Sequence, residues 1–514
     1  MVDAVIARPG AAPAEALVID GGRVGYVGTA GEARSRYSGA EEIGLAGALI
    51  APAFVDAHTH LVQTGLVADG LDLRGAGSRT EVLDRLAAYV RQRPGRRLVL
   101  GQGWDERSWP DPTAPSRAEV DRAAGGRVVY LARVDVHSAV VSTSLLDARP
   151  EIAGLPGFGP DGLLRRDAHH AARAAVGELT TDAERRAAAR VAVDAAVRQG
   201  LGCVHELGGP HLGPVEDLVR VRDEGRRIGL EVVGYWGESA SDEAFARMAA
   251  SGAVGLAGDL CVDGAIGSRT AALREPYADA AGRGVRYLDL DQLTEHLIAC
   301  TRAGVQGGFH CIGDDAVAAA IEAVGRAGAV VGREAMVAAR HRLEHVEMVD
   351  VAELGRLDTF GVVASVQPAF DAAWGAPGEL YEQRLGPDRA RLMNPLRSFA
   401  AARVMLAFGS DTPVTPLAGW ETVRAAARHH QSRQRLSVAD AFAAATIGGH
   451  AAARRSGGRL AVGERADLAI WQAEPASLDA DGLPRLAEDV PLPEWQGTVL
   501  GGRLVADRDH TGAR

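Results

Sequence analysis

The sequence predicts an α/β fold: a (β/α)8 TIM barrel with a long insertion after its first strand, together with a small β domain. Three observations support this prediction. Short apolar runs alternate with amphipathic stretches of about 10–15 residues through the middle of the chain, as in βα units. Eight such runs can be counted, which is the number of strands in this barrel. Both ends of the chain are instead rich in strand-like segments.

The two chain ends carry similar hairpin signals. Gly21-Gly22 separates the strand-like segments 16–20 and 23–28, and Gly501-Gly502 separates 498–500 and 503–505. A third strand-like segment covers 467–471. A pair of glycines between strands favours a tight β-hairpin turn. We therefore expect residues 1–52 and 458–514 to meet in one small β domain.

The predicted barrel occupies residues 53–457. Its strands are 54–56, 202–206, 230–235, 260–263, 307–310, 342–345, 362–366 and 404–408. Helical periodicity follows several of them, as at 291–303, 314–327 and 418–430. The interval 61–200 contains no clear βα repeat and is predicted to be an insertion. Without it, the barrel is close to the roughly 250 residues that are typical of this fold.

Composition and charge limit the classes of function. The chain has 514 residues, 47% hydrophobic and 24% charged, as in globular proteins. Its net charge of −11 argues against a nucleic-acid-binding surface. We predict neither a membrane span nor secretion, because the sequence contains no apolar run of 18 residues and no basic, apolar leader. Its four cysteines lack CxxC spacing and fit a cytoplasmic protein better than a disulfide framework.

The chain contains no lysine, so all 56 residues counted as lysine or arginine are arginines. This excludes a Schiff-base lysine and a P-loop lysine. It also excludes a lysine carbamate that bridges two metal ions.

His58-Thr59-His60 is the strongest signal of chemistry. Side chains at positions i and i+2 of a strand face the same way, so both imidazoles are expected at the carboxyl end of the first barrel strand. Barrel enzymes place their active sites at that end. Two convergent imidazoles suit zinc, iron or manganese, although the pair alone is also compatible with ordinary loop histidines.

Three more residues are placed in the same way. His310, His345 and Asp411 each lie at or just after the carboxyl end of a predicted strand. Three histidines and a carboxylate can bind one divalent metal ion, and an aspartate beside an activated water can accept its proton. Packing does not explain candidates from four strands at one face of a barrel, so the set predicts a site.

These residues belong to a series of motifs that covers nearly the whole chain. The series comprises 54–60, Gly103-Trp104-Asp105-Glu106, 263–271, 310–314, 342–345, Gln367-Pro368, 409–411 and 463–468. The combination resembles the amidohydrolase superfamily, and most closely its YtcJ-like branch, which includes N-substituted formamide deformylase. The resemblance implies a metal-dependent hydrolase of a non-peptide C–N bond, in an amide, a ring amide or an N-formyl or N-acyl group.

The resemblance also implies roles for individual residues. His58, His60, His310 and Asp411 match the family's metal ligands. His345 matches a histidine that binds a second metal ion or polarises the substrate. Asp411 also matches the aspartate that carries the proton from the attacking water to the leaving nitrogen. We expect Asp411 and His345 to be catalytic and the cofactor to be one divalent ion, zinc first, with iron or manganese as alternatives.

One position departs from the family pattern. Related proteins commonly have a lysine on the fourth strand, four residues before the aspartate of an Asp-Gly pair, where this chain has Asp259. We therefore expect a mononuclear site. The alternative is a second metal ion bridged by Glu206, Asp259, Asp263 or Cys261. For Glu206 we favour a simple hydrogen-bonding role.

Trp104, Asp263, Arg269 and Gln367 are predicted to contact a small-molecule substrate. Arg269 can pair with a carboxylate or carbonyl group of the substrate, or form a structural ion pair with Asp263. Trp104 can belong to a lid or to the insertion's own core. A deaminase or an isomerase with the same site, and a non-enzymatic interaction protein, are alternative functions. Homo-oligomers are common among such enzymes, but the sequence indicates no interface.

Overall fold

Eight parallel strands form the centre of the fold. The computed structural model describes residues 1–508, except the side chain of Ser108, so residues 509–514 of the predicted C-terminal segment lie outside the description. The eight strands are β1 (Phe54–Thr59), β2 (Leu201–Gly208), β3 (Glu231–Trp236), β4 (Gly255–Leu256), β5 (Gln306–Cys311), β6 (Arg342–His345), β7 (Val363–Val366) and β8 (Met405–Phe408). They form two sheets, ordered β3-β2-β1 and β4-β5-β6-β7-β8, with parallel pairing throughout.

The two parallel sheets touch at both pairs of edges. A parallel bridge joins Thr59 at the end of β1 to Thr412, just beyond β8. At the other pair of edges, the Val254 amide donates to the Gly234 carbonyl of β3 over 2.8 Å. The carboxyl ends of β1 and β8 are thereby brought side by side.

The predicted fourth strand is wrong in position. The sequence places it at 260–263, whereas β4 is Gly255–Leu256. Gly258 has a left-handed backbone with φ +87°, which interrupts the extended chain after β4. Beyond it, Cys261 makes only an isolated parallel bridge to His310. The other seven predicted strands overlap observed strands.

Helices connect the parallel strands and cover them. From β2 onward they are Glu216–Ile228, Asp242–Ser251, Leu290–Arg302, Asp314–Val331, Arg333–Ala339, Leu354–Phe360, Pro368–Trp374, Leu380–Leu385, Pro387–Ala390, Leu396–Ala401, Trp420–Ala427, Val438–Ala443 and Gly449–Ala452. The helices predicted at 291–303 and 314–327 are confirmed, and the one predicted at 418–430 is shorter at both ends. Asp289 caps the Leu290–Arg302 helix by accepting a hydrogen bond from the Gln292 amide over 2.9 Å. No described helix is long and apolar enough to span a membrane.

Residues 61–200 contain a separate five-stranded sheet. Its strands, in spatial order, are Leu163–Arg165, Ser138–Val141, Val128–Arg133, Leu98–Trp104 and Leu71–Asp72. Its helices are α1 (Leu61–Ala68), Arg79–Gln92, Arg117–Ala124, Thr143–Ala148, α2 (Arg166–Leu179) and α3 (Asp182–Arg198). Helix α1 packs on α3 so closely that a Cβ atom on Gly65 would lie 2.0 Å from the Ala188 carbonyl oxygen. Glycine permits this approach.

A seven-stranded sheet combines both ends of the chain. Its spatial order is Arg503–Asp507, Glu494–Leu500, Leu468–Gln472, Ala48–Pro52, Val2–Ile6, Ala14–Asp20 and Arg23–Gly28. The two predicted hairpins are confirmed, because the strands on either side of each glycine pair are antiparallel partners. Phe54 of β1 packs edge-on against Trp471 of this sheet, with ring centroids 5.9 Å apart. This aromatic contact joins the sheet to the parallel strands.

Candidate metal centre and active-site cavity

Two histidines and two aspartates converge at the carboxyl ends of the parallel strands. The Nε2 atoms of His58 and His60 lie 3.3 and 3.1 Å from Asp411 Oδ1. They lie 3.4 and 3.1 Å from Asp259 Oδ1 and Oδ2, respectively. Residues i and i+2 at the end of β1 thus face the same two carboxylates, as the strand periodicity predicts.

His310 and His345 complete the cluster from β5 and β6. Their ring centroids are 4.4 Å apart, and the His345 ring is 4.8 Å from that of His58. His310 Nδ1 lies 3.8 Å from Asp259 Oδ1. The structure therefore brings together all five predicted metal-site residues, with Asp259 between His60 and His310.

Three of the four histidine rings are oriented by a partner behind them. The Nδ1 atoms of three histidines lie close to buried oxygen atoms: His58 to Glu344 Oε2 at 3.0 Å, His60 to the Leu207 carbonyl at 2.8 Å, and His345 to Gln367 Oε1 at 2.8 Å. Donation of the Nδ1 hydrogen to these acceptors leaves each Nε2 with a lone pair. Metal-binding histidines are commonly oriented in this way.

Glu344 is held in turn by a buried arginine on its own strand. Arg342 Nε donates to Glu344 Oε1 over 2.5 Å, and both side chains are fully buried. The same guanidinium lies 4.4 Å from the centroid of the Tyr235 ring. Because burial of an unpaired charge is costly, Arg342 and Glu344 require each other.

The charges of the cluster are mutually compensating. Burial opposes ionisation of Asp259 and Asp411, but the facing histidines outweigh it and hold the pKa of both carboxyl groups below the usual range. Burial likewise opposes the charge of His60, but Asp259 and Asp411 raise its pKa to about 9. The carboxylates therefore stabilise positive charge at this position.

These residues fit a divalent metal ion. Within the described part of the chain, His58 Nε2 and Asp259 Oδ1 are buried without a hydrogen-bond partner, although buried polar atoms normally have one. Imidazole and carboxylate donors suit zinc, iron and manganese. A bound cation would satisfy both orphaned atoms and supply the positive charge that the carboxylates stabilise.

Two residues of the cluster have a left-handed backbone. His345 has φ +69° and Asp411 has φ +55°. Residues other than glycine rarely adopt this conformation, and such strain concentrates at functional sites.

A cavity opens beside the cluster. His60, Asp259, His310 and Asp411 line one part of it. Residues of the interval 61–200, including His137 and several from α2, line another part. The segment predicted as an insertion therefore contributes directly to the wall of the cavity.

The structure revises the predicted substrate contacts. Trp104 is 1% exposed within the core of the 61–200 layer, where its Nε1 donates to the Leu131 carbonyl over 2.9 Å, so the lid interpretation of this residue is wrong. Arg269 pairs with Asp279 over 2.6 Å, so the alternative of a structural ion pair with Asp263 does not hold. Gln367 orients His345 from a buried position.

The other residues considered as bridges to a second metal ion lie in different surroundings. Asp263 accepts hydrogen bonds from the backbone amides of Ala272, Ile312 and Gly313 over 2.8–3.0 Å. Glu206 accepts from the Leu61 amide and from Thr59, which is the hydrogen-bonding role favoured by the sequence. Cys261 lines the cavity, and burial raises the pKa of its thiol well above the usual value.

Sequence reasoning assigned no role to Glu344, Arg342 or Arg173. The first two occupy alternate positions of one strand, so their period of two places both on the same face. A pair of opposite charges two residues apart on one short strand is the signal that could have found them. Arg173 lies on α2 within the cavity wall, and nothing in its local sequence indicates that position.

A comparison with known protein families identifies the family of this chain. Residues 41–506 match the family described as the amidohydrolase family. The chain belongs to the amidohydrolase family. Among curated proteins, this amidohydrolase is 25% identical to YtcJ of Bacillus subtilis (strain 168), named as an amidohydrolase, over 96% of both chains. It is 28% identical to the N-substituted formamide deformylase of Arthrobacter pascens over 30% of this chain and 29% of that protein.

A solved structure supports the same relationship. An uncharacterized metal-dependent hydrolase from Pyrococcus furiosus superposes with a TM-score of 0.72 and 26% identity, covering 92% of this chain and 98% of that one. The predicted family is confirmed, and the chain has an α/β amidohydrolase fold. The family match also supports a hydrolase.

Proposed function

We propose that this amidohydrolase cleaves a non-peptide C–N bond in a small amide, or in an N-formyl or N-acyl amine, with Asp411 carrying the proton. One observation carries the proposal. Asp411 Oδ1 lies within 3.3 Å of the Nε2 atoms of both His58 and His60, in the wall of the cavity. This arrangement supports Asp411 as a proton acceptor beside the donor set that fits a metal ion.

The proposal includes a closed (β/α)8 barrel. The edge contacts between Thr59 and Thr412, and between Val254 and Gly234, support closure of the two parallel sheets into one barrel. Residues 61–200 would be its insertion, and residues 1–52 and 458–514 its small β domain. In such a barrel the carboxyl ends of the strands surround the substrate.

We assign His58, His60, His310 and Asp411 as ligands of one divalent ion, zinc first, with iron or manganese as alternatives. When bound, such an ion supplies Lewis acidity, which lowers the pKa of a water ligand and polarises a carbonyl group. His345 donates its Nδ1 hydrogen to Gln367 Oε1, which leaves Nε2 as an acceptor. This favours His345 as a further ligand over a donor to the substrate carbonyl.

Asp411 is the proposed proton carrier. Its carboxylate accepts a proton from the attacking water and delivers it to the leaving nitrogen as the C–N bond breaks. The lowered pKa keeps the carboxylate ionised before the reaction. Its backbone is fixed, because the Asp411 amide donates to the His58 carbonyl over 2.8 Å and the Asp411 carbonyl accepts from Val414 over 2.8 Å.

The test is a substrate panel with the metal-loaded protein. N-formyl amines, N-acyl amines and ring amides are assayed for release of the amine, and amino-substituted heterocycles for release of ammonia. We expect hydrolysis of at least one amide, loss of activity with a chelator, and recovery with zinc. Ammonia release without amide hydrolysis would instead indicate a deaminase. Inactivity of the folded, metal-loaded protein on every compound would contradict the proposal.

A further inference from the structure

Arg173 lies in the cavity wall without an anionic partner among residues 1–508. It belongs to α2 and lines the same cavity as His60, Asp259 and Asp411. Its guanidinium makes no hydrogen bond or ion pair with any residue in the described range 1–508. A partly buried cation that faces a cavity without a partner in this range needs an explanation.

The other charged groups of the cavity are already satisfied. Arg185, the second arginine in the lining, forms an ion pair with Asp217. Asp259 and Asp411 face the histidines of the metal centre. Arg173 is therefore the cation of the lining that lacks a counter-charge within the described chain.

The histidines near Arg173 do not add positive charge. Burial, followed by repulsion from Arg173, lowers the pKa of His211. Burial, followed by repulsion from His211, lowers the pKa of His170 to about 3. The repulsion from Arg173 contributes to both shifts, which places its charge close to these rings. At neutral pH the positive charge in this part of the cavity is concentrated on one guanidinium.

Arg173 occupies one face of α2 with other lining residues. With Arg173, the residues His170, Gly177 and Thr180 form a series spaced three or four residues apart along the helix and its end, and all of them line the same cavity. The wall elsewhere contains apolar side chains such as Leu66 and Leu100. The cavity thus combines a metal centre, an apolar wall and a single cationic contact.

We infer that Arg173 binds a carboxylate of the substrate. The inference rests on the proposed function and narrows it: the substrate is an N-formyl or N-acyl amine that also carries a carboxylate, separated from the amide by an apolar spacer. A planar guanidinium binds a carboxylate through two parallel hydrogen bonds. One arginine matches one carboxylate, whereas the greater charge of a phosphate favours several donors.

The test compares acids with their methyl esters. Wild-type protein is assayed on N-formyl derivatives of glycine, β-alanine, 4-aminobutyrate and 6-aminohexanoate, and on the methyl ester of each. We expect a preference for the acids with an optimum at one spacer length. The Arg173→Gln variant is expected to lose about 10- to 100-fold in kcat/KM for the best acid while retaining activity on the ester.

Arg198→Gln is the matched control. Arg198 is exposed on α3 and does not line the cavity, so its removal changes the net charge equally. It is expected to leave the acid-to-ester ratio unchanged. An equal ratio in wild-type protein and Arg173→Gln would overturn the inference.

A binding measurement separates this inference from the proposed function. Isothermal titration with hexanoate and with the neutral hexanamide reports carboxylate binding without catalysis. We expect Arg173→Gln, but not Arg198→Gln, to weaken hexanoate binding about 10-fold or more. A carboxylate held by the metal centre alone would bind both variants equally and would overturn the inference. Binding that depends on Arg173 without hydrolysis of any amide would overturn only the proposed reaction.

Discussion

Two clusters of potential metal ligands lie at opposite ends of the parallel strands. At the carboxyl ends, His58, His60 and Asp411 place their ligand atoms within 4.8 Å of one another. Near the amino ends, the same holds for Cys203 of β2, Glu231 of β3 and His450. Residue types and spacing alone do not distinguish the two clusters.

The difference lies in how the negative charge is compensated. At the amino end, Glu231 is already in contact with Arg455, and burial raises the pKa of the Cys203 thiol well above its usual value. A metal ion there would have to displace an arginine and remove a proton from a buried thiol. At the carboxyl end, histidines rather than arginines face Asp411 and Asp259 within the described residues. The charges around a cluster therefore distinguish the two sites better than the number of ligands.

The largest expected effect is a loss of catalytic activity when the carboxyl-end cluster, but not the amino-end cluster, is changed. Asp411→Asn removes the proposed proton carrier and should reduce kcat by roughly 100- to 10,000-fold. Cys203→Ala changes the amino-end cluster and should stay within about twofold of wild type, because Cys203 lies outside the cavity lining. Steady-state hydrolysis of the best amide measures both. Equal losses of kcat in the two variants would contradict the assignment of catalysis to the carboxyl-end cluster.

The next effect concerns the carboxylate behind the metal centre. Glu344→Gln weakens the acceptor for His58 Nδ1 and should raise the metal Kd by about 10- to 100-fold. Glu231→Gln should leave the metal Kd unchanged. Competition with a chromophoric chelator measures the affinity, and circular dichroism checks that both variants are folded. An unchanged Kd in folded Glu344→Gln would show that this carboxylate does not tune the site.

The smallest effect concerns a histidine at the amino end of β6. His341 is buried, and its Nδ1 accepts a hydrogen bond from the Gly307 amide over 2.8 Å. Burial, followed by repulsion from His296, lowers its pKa to about 3, below the roughly 6.5 of the unfolded chain. The unfolded state therefore binds the proton first, and the free energy of unfolding should fall as pH drops from about 6.5 towards 4, by up to about 1.4 kcal/mol per pH unit.

Thermal denaturation between pH 5 and pH 8 tests this contribution. His341→Asn is expected to be less stable at every pH, because it disturbs a buried hydrogen bond. The decrease in its Tm below pH 6.5 should nevertheless be shallower than in wild type. The same slope in both proteins would show that His341 does not titrate in this range.

Much of the metal centre could be predicted from the sequence, because its signals are local. His58 and His60 are two residues apart on one strand, and strand periodicity alone places them on one face. His310 and Asp411 adjoin apolar runs whose carboxyl ends share one edge of a parallel sheet. The hairpins at Gly21-Gly22 and Gly501-Gly502 are equally local.

The remaining features depend on long-range packing. Asp259 follows a left-handed glycine rather than a regular strand, so strand periodicity does not locate its side chain. The local sequence of Trp104 is compatible with a lid. Its burial is set by the core of the 61–200 layer, which surrounds it. Arg173 lines the same cavity as the metal centre because α2 packs beside that cavity. No local sequence pattern predicts this packing.

The central claim is that the carboxyl-end cluster binds the metal ion. The most direct test is elemental mass spectrometry of wild-type protein, His60→Asn and His450→Asn, each purified without chelator or added metal. We predict about one zinc, iron or manganese ion per chain in wild type and His450→Asn, and almost none in His60→Asn. Retention of the metal in His60→Asn, or its loss in His450→Asn, would contradict the account.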